Sequence, residues 1–284
     1  MNLPQPIVEW CRAQGFGAVT EAVPQGGGCI HACYRLMTDG GRTLFLKVND
    51  GVPEDMFPCE ADGLMALALG AGPRLPHPRL WGPTFLLLED LSPSRNVAGF
   101  WEHLGRELAQ LHSHTCPRFG FDHTNYVGLT PQPNAWTPDG HAFFAERRLL
   151  FQARRARDSG LLERADLGRV EALCAHLDRV LPDQPACLIH GDLWSGNVLR
   201  GPNGEPCLVD PACHYGWAEA ELGMTELFGG FPESFYGAYA EASRLAPGWR
   251  DRLPVYNLYH LLNHLNLFGA SYLGSVRSVL QVFA

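Results

Sequence analysis

The sequence of 284 residues lacks a long apolar run, a closely spaced cysteine pair and an excess of positive charge. Because a membrane-spanning helix needs roughly 18 or more apolar residues in a row, we expect no membrane segment. The first residues also lack the basic start and apolar core of a secretion signal, so we expect a cytoplasmic protein. The nine cysteines are odd in number and include no C-x-x-C pair, which favours reduced thiols over a disulfide framework.

The acidic balance, with a net charge of −8 at pH 7, argues against a nucleic-acid partner, because a phosphate backbone requires a basic face. An acidic protein can still bind a nucleotide, since magnesium and a few local cations can neutralise the bound phosphates. A zinc site at Cys207, Cys213 and His214 is disfavoured, because structural zinc sites usually combine closely spaced pairs of ligands. The length and a hydrophobic content of 46% allow two lobes with ordinary buried cores.

The most informative segment is LIHGDLWSGNVL at 188–199, followed by a short apolar strand that ends at Asp210. Phosphoryl transfer from a nucleotide to a hydroxyl uses a carboxylate that holds the acceptor O–H, together with oxygen ligands for magnesium. We therefore predict that Asp192 is the base and that Asn197 and Asp210 bind Mg²⁺. A β-hairpin with polar residues at its turns is the alternative. The spacing and the flanking apolar runs favour the phosphotransferase.

Four aromatic and histidine side chains need a separate interpretation. His190 is expected to support the loop through hydrogen bonds rather than to react. Trp194 is either an aromatic cap on the core or one wall of an acceptor pocket, and both uses remain open. His260 and His264 have the spacing of a helical zinc pair, but the residues between them lack the glutamate of a metalloprotease motif. Structural histidines with satisfied hydrogen bonds are therefore favoured.

The N-terminal part is predicted to contain strands and turns with one helix. The strands are expected at 32–36, 43–48 and 84–88, the helix at about 56–69, and a turn at WGP, residues 81–83. Gly26, Gly27 and Gly28 form a glycine-rich turn that leads into the strand at 32–36. Glycines there allow the backbone to approach phosphate oxygens and to donate N–H groups. Hairpin turns are often glycine-rich, so the turn indicates phosphate binding only together with the other residues.

Lys47 lies in an otherwise apolar strand, where its ammonium group needs a partner. It lies either on the solvent face of an edge strand or beside the α- and β-phosphates of a nucleotide, paired with a carboxylate. Glu60 and Glu54 compete for that pairing. We favour Glu60 because it opens the periodic stretch of the following helix.

The apolar strand at 84–88 meets a polar turn of Glu89, Asp90 and Leu91. The backbone C=O of Glu89 and N–H of Leu91 are candidates for pairing with the adenine edge. The alternative is a strand end without a role. The Ser-Pro-Ser stretch that follows is the best candidate for a connection between lobes, so we expect an N-lobe at 1–91 and a C-lobe at 92–284.

The remainder of the chain is predicted to be mainly helical, and the proposed catalytic hairpin interrupts it. The proline-rich segment at 130–134 is predicted to be a loop. The helices are expected at 100–112, 143–157, 161–181, 219–228, 233–245 and 253–268, with a short terminal one.

With these residues in hand, the chain resembles the fructosamine kinase (ketosamine-3-kinase) family, relatives of the aminoglycoside and choline kinases in the protein-kinase-like superfamily. The resemblance covers nearly the whole chain. It is carried by the HGD, Asn and Asp pattern above and by more specific segments: LWSGN at 193–197, TPQPN at 130–134, FFAERRL at 143–149, MTELFGGF at 224–231 and YHLLNHLN at 259–266.

The resemblance implies a two-lobed α+β fold of the protein-kinase-like type, with an antiparallel N-lobe sheet, one main N-lobe helix and a larger helical C-lobe. It implies ATP-dependent phosphorylation of the 3-hydroxyl of a ketosamine, carried by a small amine or a protein lysine, with ATP and Mg²⁺ as cofactors. The adduct would then break down and free the amine. We expect a monomer or a weak homodimer.

The chain departs from the pattern of the family at two positions. Relatives often carry an Arg shortly before the segment that here reads WAEAEL at 217–222, and a Trp where this chain has Gly140. Both departures bear on acceptor preference. By motif position, the implied roles are Asp192 as proton acceptor, Asn197 and Asp210 as magnesium ligands, Lys47 and Glu60 as the phosphate-anchoring pair, and Glu89, Asp90 and Leu91 as the adenine hinge. Trp194 and Trp217 are separate candidates for acceptor contacts.

Two alternatives remain beside a ketosamine kinase. One is a phosphotransferase for an aminoglycoside, choline or another amino-alcohol, whose cationic acceptor would also suit an acidic cleft. The other is a nucleotide-binding pseudokinase, which the intact set of catalytic residue types disfavours. The identity of the sugar and a redox role for Cys29 stay open.

Overall fold

The computed structural model describes residues 3–26, 30–243 and 245–284. Its N-terminal part is a five-stranded antiparallel sheet in the order β1-β2-β3-β5-β4. The elements are α1 (Gln5–Ala13), β1 (Val19–Gln25), β2 (Ala32–Thr38), β3 (Thr43–Val48), α2 (Met56–Leu67), β4 (Pro78–Gly82) and β5 (Phe85–Glu89).

Both faces of this sheet are covered, because each carries its own helix. Successive side chains of a strand point to opposite faces, and the run Phe85 to Leu88 is buried throughout. Leu87 packs with Ile7 of α1 on one face, whereas Leu86 packs with Phe57 of α2 on the other. The same alternation places Lys47 on the face that α2 covers.

Helix α1 and strand β4 correct the sequence-based expectation. The N-terminal residues were expected to form strands and turns, but α1 buries Ile7 and Cys11 against the sheet. The segment WGP at 81–83 was expected to be a turn, yet β4 extends through Gly82 and pairs with β5. Both elements are short and gain their stability from the sheet rather than from local propensity.

The rest of the chain is mainly helical, with three small antiparallel β-units. Strands β6 (Thr115–Cys116), β9 (Ala186–Ile189) and β12 (His214–Gly216) form one unit, β7 (Asn125–Val127) and β8 (Thr130–Gln132) a second, and β10 (Val198–Arg200) and β11 (Pro206–Leu208) the third. The helices are α3 (Phe100–His112), α4 (Gly140–Phe144), α5 (Leu150–Asp158), α6 (Arg164–Cys174), α7 (Leu177–Val180), α8 (Ala218–Leu227), α9 (Glu233–Ala242), α10 (Trp249–Phe268) and α11 (Leu273–Phe283), with a π-helical turn at Ala145–Leu149 that joins α4 to α5.

Two predicted boundaries are wrong in this part. The segment at 130–134 is not only a loop, because its first three residues form β8. The predicted helix at 161–181 is two helices, α6 and α7. Within the described residues, no helix is long and apolar enough to cross a membrane. Where the chain divides into lobes stays a prediction.

One large core fills the helical part, and α3 packs closely on α9 within it. Gly105 of α3 makes that approach possible, since a Cβ there would collide with the backbone carbonyl of Phe235. The end of α3 is thereby held beside β9, the strand that leads into the predicted catalytic loop.

Candidate active site

The loop that follows β9 carries Asp192. Gly191 has a φ of +83°, and a Cβ there would collide with the carbonyl oxygen of Ala212, so the turn requires glycine. Asp192 is half-buried. Burial, together with the negative charge of Asp210, raises its pKa to about 7. A carboxylate with this pKa can hold a hydroxyl and accept its proton near neutral pH.

Asn197 and Asp210 face the same cleft as Asp192, a space of about 840 Å³. The side-chain amide of Asn197 donates to the backbone carbonyl of Asp192 at 2.8 Å, and the backbone of Asn197 accepts from the N–H of Val209 at 3.1 Å. Asp210 has a φ of +59°, which among the described residues is the one left-handed conformation outside glycine. Such outliers concentrate at functional sites.

Lys47 joins the sheet to this loop. Its ammonium group lies 2.5 Å from a carboxylate oxygen of Glu60 on α2 and pairs also with Asp210. The predicted preference for Glu60 over Glu54 is therefore confirmed. β3 lies between β2 and β5, so Lys47 does not lie on an edge strand. Burial alone would lower its pKa, but the two carboxylates raise it, and the ammonium stays charged.

The glycine-rich turn is described in part. Gly26 lines the cleft, whereas Gly27, Gly28 and Cys29 lie outside the described residues. Their proposed contact with phosphate stays a prediction. His31, on the far side of the turn, also lines the cleft, and its ring packs on Phe57 at a centroid distance of 4.7 Å.

The segment proposed to pair with adenine also lines the cleft. The Glu89 carboxylate lies 2.5 Å from Arg74. The Asp90 carboxylate lies 3.0 Å from Arg35 and accepts from the backbone N–H of Ser92. These ion pairs fix the segment through its side chains. Its backbone is thus the part suited to a base edge.

Glu221 is a site residue that sequence reasoning missed. It lies on α8 at 2% exposure, and its carboxylate accepts the N–H groups of His190 at 3.0 Å and Gly191 at 2.7 Å. His112 contacts the same carboxylate at 2.9 Å and the Tyr239 hydroxyl at 2.7 Å. Burial would raise the pKa of Glu221, but these hydrogen bonds lower it. A buried anion therefore holds the backbone of the catalytic loop.

His190 supports the loop, as predicted. Its Nε2 contacts the carbonyl oxygen of Val209 at 2.9 Å, which requires a proton on Nε2. The neutral ring then keeps a lone pair on Nδ1, and this atom accepts the N–H of Asp192 at 3.3 Å. Burial lowers the pKa of His190, so the ring is uncharged at neutral pH.

The two tryptophans differ in position. Trp194 is 36% exposed and lines the cleft, with its ring against Gly196, which favours a wall of the acceptor pocket over a core cap. Trp217 is 3% exposed; its indole N–H donates to the Gln184 carbonyl, and its ring packs on Tyr256. The expectation that Trp217 contacts the acceptor is therefore corrected, because the ring belongs to the core.

The oxygen atoms of Asn197 and Asp210 suit a hard cation such as Mg²⁺. Within the described residues, no group of three or more His, Cys, Asp or Glu side chains could hold a metal ion. Mg²⁺ in phosphotransferases is usually bound by one or two carboxylates together with phosphate oxygens and water. Two protein ligands in the cleft that is predicted to bind a nucleotide therefore fit Mg²⁺.

Buried neutral histidines predict a pH-dependent stability. His214 and His260 are 5% exposed, and burial lowers their pKa values, that of His260 to about 3. Below pH ~6.5 the unfolded chain binds protons there and the folded chain does not. We expect the free energy of unfolding to fall by roughly 1 kcal/mol per histidine between pH 7.5 and 5.5.

Asp192 opposes this trend, because its raised pKa lets the folded chain bind an extra proton in the same window. Asp192→Asn should therefore steepen the loss. Urea unfolding at constant ionic strength measures both curves. An Asp192→Asn variant that is equally stable at pH 7.5 and 5.5 would contradict the assignment of His214 and His260 as buried, neutral histidines.

Comparisons with known proteins agree on one family. The family model for "Fructosamine kinase" matches residues 7–283. A protein-ribulosamine 3-kinase (chloroplastic) from Arabidopsis thaliana is 38% identical, over 97% of this chain and 86% of the relative. The crystal structure of a candidate fructosamine-3-kinase from Thermobifida fusca YX-ER1 superposes with a TM-score of 0.88 at 33% identity and covers 99% of this chain and 98% of that one.

A more distant structure supports the fold alone. A macrolide 2'-phosphotransferase type I covers 100% of this chain and 99% of its own, with a TM-score of 0.62 at 13% identity. The α+β, kinase-like architecture expected from the sequence is thereby confirmed. The match of the family model over nearly the whole length shows that the chain belongs to the fructosamine kinase family.

Proposed function

We propose that the protein transfers the γ-phosphoryl group of ATP to the 3-hydroxyl of a ketosamine. The observation that carries this proposal is the shared cleft of Lys47, Asp192, Asn197 and Asp210 in a chain of this family. The named activity of the Arabidopsis relative supports the ketosamine and the 3-position.

Each residue has a role in this reaction. Lys47, held by Glu60, would bind the α- and β-phosphates, while the backbone of 89–91 would position adenine. Asp192 would orient the acceptor hydroxyl and take its proton late, because phosphoryl transfer proceeds through a loose transition state. Asn197 and Asp210 would hold Mg²⁺, which neutralises charge on the phosphates.

Trp194 would flank the acceptor beside Asp192. The exclusion of water by this ring and by the cleft walls would favour transfer to the sugar over hydrolysis. We further propose that the protein acts as a monomer or weak homodimer in the cytoplasm, with the N-lobe at 1–91 and the C-lobe at 92–284.

An acceptor panel tests the proposal. With ATP and Mg²⁺, we expect kcat/KM for fructosyl- or ribulosyl-amines to exceed that for choline and aminoglycosides by at least about tenfold, since an acceptor lacking matched contacts loses more than about 1.4 kcal/mol. ADP release gives the rates, and phosphorus NMR locates the phosphate. A preference for a free amino-alcohol would indicate the small-molecule alternative, and ATP binding without transfer would indicate a pseudokinase.

A further inference from the structure

Four side chains form an aromatic wall in the cleft: Phe228, His264, Phe268 and Tyr272. The ring of His264 lies at the centre of this wall. Its centroid is 4.7 Å from that of Phe228, 5.3 Å from Phe268 and 5.1 Å from Tyr272. Phe268 is 58% exposed, although an apolar ring is usually covered. All four line the same cleft as Asp192. The catalytic roles assigned above use none of them.

The protonation state of His264 follows from its one hydrogen bond in the described part of the chain. Its Nδ1 lies 2.8 Å from the carbonyl oxygen of His260. A carbonyl only accepts, so Nδ1 carries the proton. Burial lowers the pKa of His264, so the ring is neutral at neutral pH and Nε2 keeps a lone pair. The wall therefore offers a hydrogen-bond acceptor among aromatic faces.

The charges of the cleft favour a cationic group at this wall, because five carboxylates line the described cleft against three Lys or Arg side chains. The described cations that line the cleft are already engaged: Lys47 with two carboxylates, Arg35 with Asp90, and Arg200 over the ring of Phe100 at 4.0 Å. A neutral histidine adds no repulsion. Aromatic faces attract cations electrostatically, and more strongly when water is excluded.

We propose that the aromatic wall binds the protonated amine of the ketosamine, with Nε2 of His264 accepting an ammonium N–H and the rings of Phe268 and Tyr272 flanking the charge. The inference rests on the proposed function and deepens it. It makes His264 a specificity-determining residue that distinguishes a ketosamine from the free ketose, which carries a hydroxyl in place of the amine.

The first test replaces the acceptor atom and keeps the ring. His264→Phe preserves the packing but cannot accept a hydrogen bond. We expect the ratio of kcat/KM for a fructosyl-amine to that for fructose to fall by about 10- to 100-fold, mainly through KM, because a hydrogen bond to a charged group is lost. His264→Gln, which restores an acceptor, should recover part of the ratio.

His103→Phe is the matched control, since His103 is half-exposed on α3 and pairs with Glu107, outside the residues that line the cleft. It should leave the ratio unchanged. Thermal unfolding and ATP affinity report whether each variant is folded.

Phe268 gives a second test that does not depend on the fold, because its ring is largely exposed. Phe268→Leu keeps an apolar side chain without a π-face, and Phe268→Tyr keeps the face. We expect the Leu variant to lower the ratio by roughly 2- to 5-fold and the Tyr variant to preserve it.

The outcomes separate the two proposals. If the wild-type enzyme prefers the ketosamine but His264→Phe and Phe268→Leu retain the full ratio, the amine site is overturned and the kinase assignment stands. Equal use of ketosamine and free ketose by the wild type would also overturn the amine site. A wild-type enzyme that phosphorylates no ketosamine would overturn both the amine site and the ketosamine kinase assignment.

Discussion

Asp192→Asn is expected to lower kcat for phosphoryl transfer by about 10²- to 10⁴-fold, because asparagine has the same shape but cannot accept the hydroxyl proton. The affinity for ATP should change by less than about threefold, since the proposed nucleotide contacts lie on Lys47 and on the backbone of residues 89–91. ADP release under single-turnover conditions measures the first quantity, and calorimetric titration with a non-hydrolysable ATP analogue measures the second.

Asp183→Asn is the matched control for this substitution. Asp183 is fully exposed, so removing its charge should leave both quantities unchanged. Normal turnover by the Asp192 variant would show that another group takes the proton. A loss of ATP binding in parallel with activity would instead point to a collapsed cleft.

The shared cleft of the proposed catalytic residues could be predicted from the sequence, because three of them lie close together along the chain. The HGD segment and Asn197 precede the β10–β11 hairpin and Asp210 follows it, so their spacing already limits where they can lie. The pairing of Lys47 with Glu60 also followed from sequence, since an ammonium in an apolar strand needs a carboxylate and the next helix offers one. Both inferences required no knowledge of distant contacts.

The errors concern residues whose role depends on packing. Trp217 directly precedes α8, and nothing in its sequence neighbourhood distinguishes a core ring from a pocket wall. Glu221 was missed because its partners, His112 and the backbone after β9, lie far away along the chain. The one local signal is that the residues around Glu221 on its helix are largely buried. A buried glutamate requires a partner for its charge.

The second large effect is expected for the substitution Glu221→Gln, because this carboxylate holds the backbone of the proposed catalytic loop. Glu221→Gln keeps the shape of the side chain but has one carbonyl oxygen in place of two carboxylate oxygens. Its amide NH₂ would face either the N–H of Gly191 or that of His190, and one buried donor would lose its acceptor. We expect a loss of about 2–5 kcal/mol in the free energy of unfolding and about a 10- to 100-fold fall in kcat, with KM for ATP nearly unchanged.

Glu219→Gln separates positioning from mere stability. Glu219 lies on the same helix at 1% exposure, but its carboxylate pairs with Arg252 at 2.6 Å rather than with the catalytic loop. Glu219→Gln should lower the free energy of unfolding by an amount comparable to that of Glu221→Gln. Its kcat per folded molecule, measured well below the unfolding temperature, should stay near that of the wild type. If both variants lose stability and neither loses kcat, Glu221 supports the fold alone. If only Glu221→Gln slows the reaction, the buried carboxylate holds the catalytic loop in its productive geometry, because the two variants share burial and helix and differ in what the anion contacts.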